Sequence, residues 1–506
     1  MKRDERRVKR RYFIIFRYCI DGAKPLPLHP IFKIVKMKSL LNVIVVASML
    51  PLCMEAQEAT SRNVDATTGA TRQPARTEKQ NDGVMSRLYI GGYGEAVMTR
   101  NFYSQSFNRY KKPENYAGDK SHGRVDLPHV CLNLGYDFGK GWTLGSEIEF
   151  EHGGNGTAVE IEAEEAGEYE AEVEKGGEVN LEQFWVNKAF LDGMLNVKAG
   201  EIIVPVGYSN AHHEPNQFFT VYRPEGEATI MPNTWHQTGV SVWGRLKDWR
   251  YEAQLLSGLN SESFTAENFV HYGATSPYEF KVANNYAGAL RIDYYAPSEN
   301  QRAHWLRVGL SGYYGYTFRN TLRTPGAKYD DVTGALGIVA LDFSLNRWNW
   351  IVRGNVDYAH FSDADEISAY NQANWTHHKY QDGNPHHYSN IGSNAVAYAI
   401  EAGYNVFSQM PRVKDEKLYL FGRFEHYNTM ASGTYQSMYK YTKKYRCAFG
   451  VNYSPVKQIT IKGEYSYRFF EKPDNNGLAS DSPLYKQPYN NEPSVSIGVT
   501  YCGRLL

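Results

Sequence analysis

Residues 459–469 read ITIKGEYSYRF, and this stretch decides the fold. Apolar residues and glycine occupy the odd-numbered positions, and polar or charged residues occupy the even-numbered ones. Such alternation at period two indicates a β-strand with two different faces. The polar face carries a lysine, a glutamate and an arginine, and an arginine at the middle of a bilayer costs about 2–4 kcal/mol, so this face must meet water. If the other face meets lipid, the water lies inside a closed lumen.

The same alternation recurs along the chain on both sides of this stretch. In 348–358, for example, tryptophan and valine on one face oppose asparagine, arginine and aspartate on the other. The pattern predicts sixteen strands, near 88–97, 125–138, 141–151, 179–191, 194–203, 235–247, 249–258, 284–296, 303–318, 333–345, 348–361, 394–408, 416–428, 443–454, 457–468 and 493–502.

The connections between these segments alternate between short and long. The short ones include Gly139-Lys140, 191–194, Lys247-Asp248, Asn346-Arg347 and 454–456. A membrane barrel has short periplasmic turns and long extracellular loops. The sequence therefore predicts an all-β protein, a transmembrane antiparallel β-barrel of about 16 strands with that arrangement of turns and loops, over 88–502. The alternative, a soluble extracellular β-sandwich, would also alternate but explains neither the even strand number nor the regular order of the connections.

Composition excludes other classes of protein. The 506 residues include 39 tyrosines and 44 glycines, and the mean hydropathy is −0.54. A helical membrane protein needs apolar runs of about 18 residues, and the longest run here, 40–50, is interrupted by Asn42 and Ser48. Residues 1–36 hold eleven lysines or arginines against three acidic residues, while the whole chain has a net charge of zero. The remainder is therefore mildly acidic, and no nucleic-acid partner is expected.

The N-terminal region has the pattern of an export signal. Residues 37–56 combine a basic start, an apolar stretch and a plausible cleavage point after Ala56. Residues 1–36 are then a basic leader from a misannotated start, or a real cytoplasmic extension. Residues 57–87 are polar and predict a flexible periplasmic tail. A signal peptide followed by a membrane barrel predicts the outer membrane of a Gram-negative bacterium, with its lipid as a partner.

The charged faces of the strands supply candidate pore-lining residues. The basic candidates are Arg245, Arg250, Arg291, Arg307, Arg353, Arg423, Arg446, Lys462 and Arg468. The acidic candidates are Glu252, Asp293, Asp357, Glu425 and Glu464. Nine bases against five acids predict a mild anion preference, because charged rings set the ion preference of a pore. In the alternative interpretation, these side chains form ion pairs that brace neighbouring strands.

The long connection 204–234 is the candidate constriction loop. It is rich in proline and aromatic residues, so an ordered conformation is expected. If it folds inward, its charged and imidazole side chains would narrow and polarise the pore. These candidates are His212, His213, Glu214, Arg223, Glu225 and Glu227. The alternative is a loop that packs over the mouth of the barrel.

Two other long connections have unusual compositions. Alternating glutamates predict a hairpin with an acidic face, which is either solvated or attracts cations, including a divalent ion. These glutamates are Glu160, Glu162, Glu164, Glu170, Glu172 and Glu174. Four histidines, which could bind a metal ion but more simply belong to a polar surface loop, are His377, His378, His386 and His387.

The motifs of common enzymes are missing from the sequence. We find no HExxH, GxSxG, phosphate-loop or dinucleotide pattern, and we predict no enzymatic activity and no cofactor. The leading hypothesis is a porin through which small hydrophilic solutes or ions diffuse passively. The alternative is a barrel that anchors surface loops, which bind a glycan, a metal or a host ligand without significant conductance.

Three segments carry a resemblance to a known family. They are VKAGE (197–201) running into VPVG (204–207), VYRPEG (221–226) and PNTWHQTGV (232–240). With these segments the chain resembles outer-membrane porins of Bacteroidetes-type bacteria, in the phosphate-selective porin (O and P) superfamily. The resemblance implies a sixteen-stranded barrel, a homotrimer and small solutes as cargo. The sequence departs from the family in its acidic loops and in the residues that follow Tyr501.

Overall fold

A computed structural model describes residues 84–104, 109, 113–116, 118, 122–161, 171–275, 280–297, 304–374, 390–410, 413, 415–432, 439–471 and 490–505. Over 154–161 and 171–178 it describes the backbone alone. The predicted leader and signal peptide, the hairpin positions Glu162, Glu164 and Glu170, and the four histidines within 375–389 lie outside the described residues.

The alternating segments form one antiparallel sheet. Its strands are β1 Leu88–Asn101, β2 His122–Asp126, β3 His129–Gly139, β4 Trp142–Ile161, β5 Ala171–Phe190, β6 Leu195–Ile203, β7 His236–Leu246, β8 Trp249–Ser257, β9 Tyr286–Pro297, β10 His304–Tyr316, β11 Ala335–Arg347, β12 Trp350–Phe361, β13 Asn394–Asn405, β14 Lys417–Ser432, β15 Lys443–Val456, β16 Ile459–Phe470 and β17 Asn491–Arg504.

The sheet closes on itself because β1 pairs with β17 over 91–101. The other edge of β1 pairs with β3 over 88–94 and with β2 over 97–101. β2 and β3 are thus two pieces of one barrel strand, interrupted at Leu127-Pro128, where proline has no N–H to donate. The barrel has sixteen strands when these two are counted as one, which confirms the predicted fold class. Closure pairs the backbone of every strand, as hydrocarbon requires.

The strand boundaries differ from the prediction in two places. β4 and β5 are twenty residues each, because their pairing continues past an irregularity near 151–156 to Ile161 and Ala171. The predicted acidic hairpin is therefore an extension of these two strands, and the backbones of Glu160, Glu172 and Glu174 lie in it. The turn expected at 346–347 instead falls at Trp348-Asn349, whose φ values of 53° and 65° suit a tight hairpin turn.

The helices are short and lie between strands. The α-helices are α1 Pro113–Tyr116, α2 Tyr208–Ala211, α3 Glu225–Ile230 and α4 Ala364–Asn374. The described 3-10 turns are Val84–Arg87, Leu191–Gly193, Pro215–Gln217, Ser261–Ser263, His271–Ala274, Ala327–Tyr329, Val406–Gln409 and Lys440–Thr442. Within the described residues, a helix long and apolar enough to cross a membrane is not found.

The two faces of the strands have opposite character. On the outside, large apolar side chains such as Val339, Val356 and Ile497 are more than half exposed. Their neighbours on the inside, such as Asp357 and Ser496, are buried. An exposed apolar band of this extent would be unstable in water, and it suits the hydrocarbon of a membrane. Exposed tryptophans lie near the strand ends, among them Trp142 and Trp249, as in the aromatic girdles of membrane barrels.

Candidate functional site

The connection between β6 and β7, residues 204–234, lies inside the barrel and crosses its lumen. It enters along β9 and β10, where Arg291 donates hydrogen bonds to the carbonyl oxygens of Pro205 and Gly207 at 3.3 and 3.0 Å. The N–H of Gly207 donates to Ser311 Oγ at 3.1 Å. This anchoring fixes the first turn of the segment, which we name the constriction loop.

The middle of the constriction loop is held by the opposite wall. Lys462 on β16 donates to the carbonyl oxygens of Pro215, Phe218 and Thr220 at 2.6, 3.1 and 2.9 Å. β9 and β16 are seven strands apart in a ring of sixteen. The loop therefore spans the lumen from one side to the other, and it does not rest over the mouth.

Wall carboxylates accept hydrogen bonds from the backbone of the second half of the loop. Glu464 accepts from the N–H of Val221 at 2.8 Å. Glu425 accepts from the N–H groups of Glu225 and Gly226 at 3.1 and 3.2 Å. These two predicted wall residues thus bind the loop, and charge-assisted bonds of this kind are stronger than neutral ones.

A buried ion network on β8–β11 contains several predicted wall residues. Arg291 lies 2.7 Å from Asp293 and 3.0 Å from Asp342. Arg307 contacts the same two carboxylates at 3.0 and 2.6 Å. Arg250 on β8 reaches Asp293 at 3.4 Å. Each guanidinium in this network is neutralised by carboxylates of neighbouring strands.

A second buried ion network runs across β12–β15. Glu401 pairs with Arg353 at 2.7 Å and with Arg423 at 3.2 Å. Arg423 also contacts Glu425 at 3.2 Å, and Arg446 contacts Glu425 at 2.9 Å. The chain of alternating charges follows the barrel circumference, so it ties one strand to the next.

The remaining wall candidates are also engaged. Arg245 lies over the ring of Tyr295, with 4.9 Å from the guanidinium carbon to the ring centroid. Asp357 accepts a 2.5 Å hydrogen bond from the amide of Asn355. Glu252 is paired with an arginine of the first network. For most of the predicted wall charges the geometry thus favours the interpretation as bracing ion pairs.

The sequence-based wall candidates omit at least seven buried inward carboxylates, which are Asp342, Glu401, Glu492, Glu95, Glu147, Glu149 and Glu182. The first two lie on the inward face that the period-two pattern of their segments indicates, so counting every inward position would have found them. With these seven included, the nine basic candidates face twelve acidic residues. The wall as a whole therefore has no excess of bases, in contrast to the excess that the sequence predicted.

The six candidates on the constriction loop have different surroundings. Glu227 accepts hydrogen bonds from the backbone of Tyr208 and Ser209 at 2.6 Å each, which fixes the fold of the loop. Burial lowers the pKa of His212, and its ring stacks on Tyr208 at 4.6 Å. His213 faces Glu147 of the wall at 3.8 Å.

The other three loop candidates contact the barrel wall or the loop itself. Glu214 accepts a hydrogen bond from Cys502 at 3.3 Å. Arg223 donates to Thr234 through Nη1, and its Nη2 is buried without a hydrogen-bond partner in the part of the chain that the structure describes. Burial by itself would raise the pKa of Glu225, but the neighbouring Arg468 and Arg446 lower it to about 2.

A polar cavity of about 410 Å³ remains between the constriction loop and the wall formed by β1, β2, β16 and β17. Four arginines and two glutamates line it: Arg109, Arg124, Arg446, Arg468, Glu225 and Glu492. Hydroxyl groups of threonine, serine and tyrosine supply most of the other polar surface. Sequence reasoning named three of the six charged residues and missed Arg109, Arg124 and Glu492.

The charges in this cavity are only partly neutralised. Glu492 accepts hydrogen bonds from Arg109 at 2.6 Å and from Arg468. Glu225 lies 3.0 Å from Arg468 and 3.3 Å from Arg446. Arg124 is exposed and lies over the ring of Tyr222 at 5.0 Å. Among the described residues, Arg124 has no carboxylate partner.

Comparison with known proteins assigns no family to the chain. No family model matches it, so membership of the phosphate-selective porin superfamily, like the homotrimer, stays a prediction. An uncharacterized protein of Aquifex aeolicus (strain VF5) is 27% identical over 409 residues, which is 78% of each chain.

Solved structures similar to this chain include three outer-membrane proteins. An anion-selective porin from Comamonas acidovorans is 12% identical, with a TM-score of 0.43, over 82% of this chain and 99% of that one. OprB of Pseudomonas putida at high pH is 10% identical, with a TM-score of 0.46, over 82% and 94%. The outer-membrane channel DcaP of Acinetobacter baumannii is 10% identical, with a TM-score of 0.43, over 82% and 97%.

The location of the protein follows from its own surface. A closed barrel with an apolar exterior, a polar interior, short turns at one end and long loops at the other is the architecture of outer-membrane proteins. The protein is an outer-membrane β-barrel.

Proposed function

We propose that the protein is a passive diffusion channel for small hydrophilic solutes and that it prefers anions. The observation that carries this proposal is the polar cavity beside the constriction loop, where four guanidinium groups face two carboxylates. A sixteen-stranded barrel encloses an aqueous channel unless something fills it. Here the constriction loop occupies much of the lumen, so the cavity is the place where passing solutes meet the charges of the protein.

Arg124 makes the net charge of the cavity positive. The other three arginines are paired with carboxylates through short contacts. Arg109 and Arg468 contact Glu492, and Arg446 contacts Glu225, Glu425 and Glu464. Arg124 is exposed and stacked on Tyr222, without a carboxylate partner among the described residues. An unpaired cation in a narrow polar passage attracts anions and repels cations. The surrounding hydroxyl groups can replace water around a small anion without binding it tightly, which conduction requires.

The test is the reversal potential of the reconstituted protein in a planar bilayer under a potassium chloride gradient. We expect ohmic steps and a larger permeability for chloride than for potassium. Arg124→Gln should reduce the permeability ratio, and Arg124→Glu should reduce it further or invert it. Arg245→Gln is the matched control, since Arg245 faces inward on β7 but does not line the cavity.

Two results would contradict the proposal. Folded protein, identified by its heat-modifiable migration in gels, that conducts with no preference for chloride would remove the anion preference. Folded protein that never conducts would remove the channel, and it would support a barrel that only anchors surface loops.

A further inference from the structure

A second cluster of charged side chains lies on the inward face of β1, β3, β4 and β5, and its sign is negative. Glu95, Glu147, Glu149 and Glu182 are 3%, 2%, 3% and 2% exposed. Among the described residues, no lysine or arginine forms an ion pair with any of the four. The charges of Arg223 and Lys462 reach the cluster without such a contact. Two cations do not balance four buried carboxylates, so the excess negative charge needs a further partner.

The register of the strands assembles this cluster together with a histidine and a cysteine. Across β3 and β4, His129 is opposite Glu151 and Cys131 is opposite Glu149. The β4–β5 ladder then shifts between 147 and 148, so Glu182 is an extra residue without a cross-strand partner. A β-bulge of this kind re-aims a side chain. It turns Glu182 to the inside, next to Cys131 and Glu149.

The distances fit the coordination sphere of one small metal ion. The ligand atoms of Cys131, Glu149 and Glu182 all lie within 4.8 Å of one another. Cys131 Sγ and Glu149 Oε1 are 3.5 Å apart. A thiolate and a carboxylate oxygen on one tetrahedral zinc ion are separated by about 3.6 Å, given bond lengths of about 2.3 and 2.1 Å.

Unpartnered oxygen atoms are an independent observation at the same place. Glu182 Oε2 and Glu95 Oε2 are buried, and neither accepts a hydrogen bond from the described residues. Buried carboxylate oxygens almost always have a donor or a cation. One carboxylate oxygen of Glu182 belongs to the same set of ligand atoms as Cys131 and Glu149, so a cation bound there would neutralise that carboxylate.

We propose that Cys131, Glu149 and Glu182 bind a divalent transition-metal ion of the zinc class, with His129 as a positioning residue. The thiol selects zinc or cobalt over calcium and magnesium, which prefer oxygen ligands. His129 Nδ1 lies 2.5 Å from Glu149 Oε1 and orients this carboxylate. The His129 and Glu151 side chains are 19% and 30% exposed and offer an entry path.

Cobalt(II) titration of the full barrel, refolded in detergent and stripped with a chelator, tests this site. We expect one ion per chain and a thiolate-to-cobalt charge-transfer absorption in the near ultraviolet. Cys131→Ser should abolish that absorption, and Glu182→Gln should weaken cobalt binding at least tenfold. His129→Gln should weaken it about 10- to 100-fold, as expected for a residue that orients a metal ligand. Zinc(II) should displace the cobalt.

Cys447→Ser is the matched control, because Cys447 lies on β15 next to the inward-facing Arg446 and therefore points to the outside. It should leave the absorption unchanged. A charge-transfer band that survives in Cys131→Ser, or the absence of cobalt binding by folded protein, overturns the proposal; in the second case Glu149 and Glu182 share a proton instead. The outcome is independent of the conductance measurements, which probe the cavity.

Discussion

The polar cavity and the acidic cluster both include residues of β1, but they differ in the sign of their charge and in how far that charge is compensated. Thr99 and Asn101 line the cavity near the long-loop end, and Tyr93 and Glu95 belong to the region of the cluster. Glu95 and Thr99 are four residues apart, about 13 Å along a strand. In the cavity, arginines and glutamates compensate one another and an excess of positive charge faces the open space. In the cluster, four buried carboxylates outnumber their basic neighbours, and the only basic side chains in close contact with them, among the described residues, are the histidines His129 and His213.

This difference shows that an inward-facing charge can have two kinds of environment. Where the lumen is open, a charge can stay hydrated and act on passing ions. Where the constriction loop covers the wall, a charge must find a partner in the protein or a bound ion. The sign of the selectivity should therefore follow the few charges beside the cavity, even though the wall as a whole has no excess of bases.

Release of the constriction loop should have the largest effect. Lys462→Met leaves the carbonyl oxygens of Pro215, Phe218 and Thr220 without their donor, and each unsatisfied group costs about 1–3 kcal/mol. We expect the loop to leave its seat, the single-channel conductance to rise at least twofold, and the ion preference to weaken.

The control for this variant is Lys198→Met. Lys198 is also buried on the inner wall, 3.8 Å from Glu252, but the structure shows no bond from it to the loop. Equal conductance of Lys462→Met and the unaltered protein would show that the loop does not limit flow.

Removal of a negative charge from the cavity should increase the preference for chloride. Glu492→Gln removes the carboxylate that Arg109 and Arg468 share, so the excess positive charge grows. The interaction energy of a passing ion with one unit charge at close range in water is about 1 kcal/mol. Removal of this interaction corresponds to a change of about fivefold in the chloride-to-potassium permeability ratio. The ratio is measured from the reversal potential, and a decrease would contradict our assignment of the cavity.

Glu201→Gln is the matched control for Glu492→Gln. Glu201 is paired with His236 and Lys281, and it does not line the cavity. Its neutralisation should leave the reversal potential unchanged.

Most of the fold could be predicted from the sequence, because successive residues of a barrel strand face lipid and water in turn. Apolar and polar residues therefore alternate along each strand. All sixteen segments were identified, and the boundaries failed where another signal competed. Trp348 and Asn349 continue the alternation but form the turn. Residues 151–156 interrupt the pairing of β4 and β5 without ending either strand.

The candidate site was less predictable than the fold. The alternation of residues along a strand identifies which charged side chains point inward, but it does not identify their partners. The pairing of Arg291 with Asp342 could therefore not be derived from the sequence. Glu182 was missed because a bulge breaks the period-two pattern. The position of 204–234 depends on contacts with strands far away in sequence, such as that of Lys462, and spacing alone leaves it open.

A pH titration should show which carboxylate limits the ion preference. Since Arg468 and Arg446 lower the pKa of Glu225 to about 2, this carboxylate stays ionised through the range near 4.3 in which an ordinary glutamate titrates. Its contribution to stability is present above the pKa of the unfolded chain and is lost as the pH falls towards 2. We expect a flat reversal potential from pH 8 to pH 4 and a stronger chloride preference below pH 3. An inflection near pH 4.5 that Glu225→Gln abolishes would contradict the assignment.

The smallest effect should come from a carboxylate of the cluster that forms no ion pair with the described residues. Glu95→Gln removes a buried charge that Lys462 and Arg223 attract only from a distance and that we do not count among the metal ligands. In chelator-treated protein we expect the free energy of unfolding, from urea titration, to rise by about 1 kcal/mol.

Glu425→Gln provides the comparison for Glu95→Gln, since Glu425 is equally buried but pairs with Arg423 and Arg446. Breaking that pairing should lower the free energy of unfolding by about 3–5 kcal/mol. Opposite signs for the two substitutions would show that burial alone does not decide the cost of an inward carboxylate, and that its partner does. A loss of stability in Glu95→Gln as large as that in Glu425→Gln would mean that Glu95 has a cationic partner, and the metal site would then have to include it.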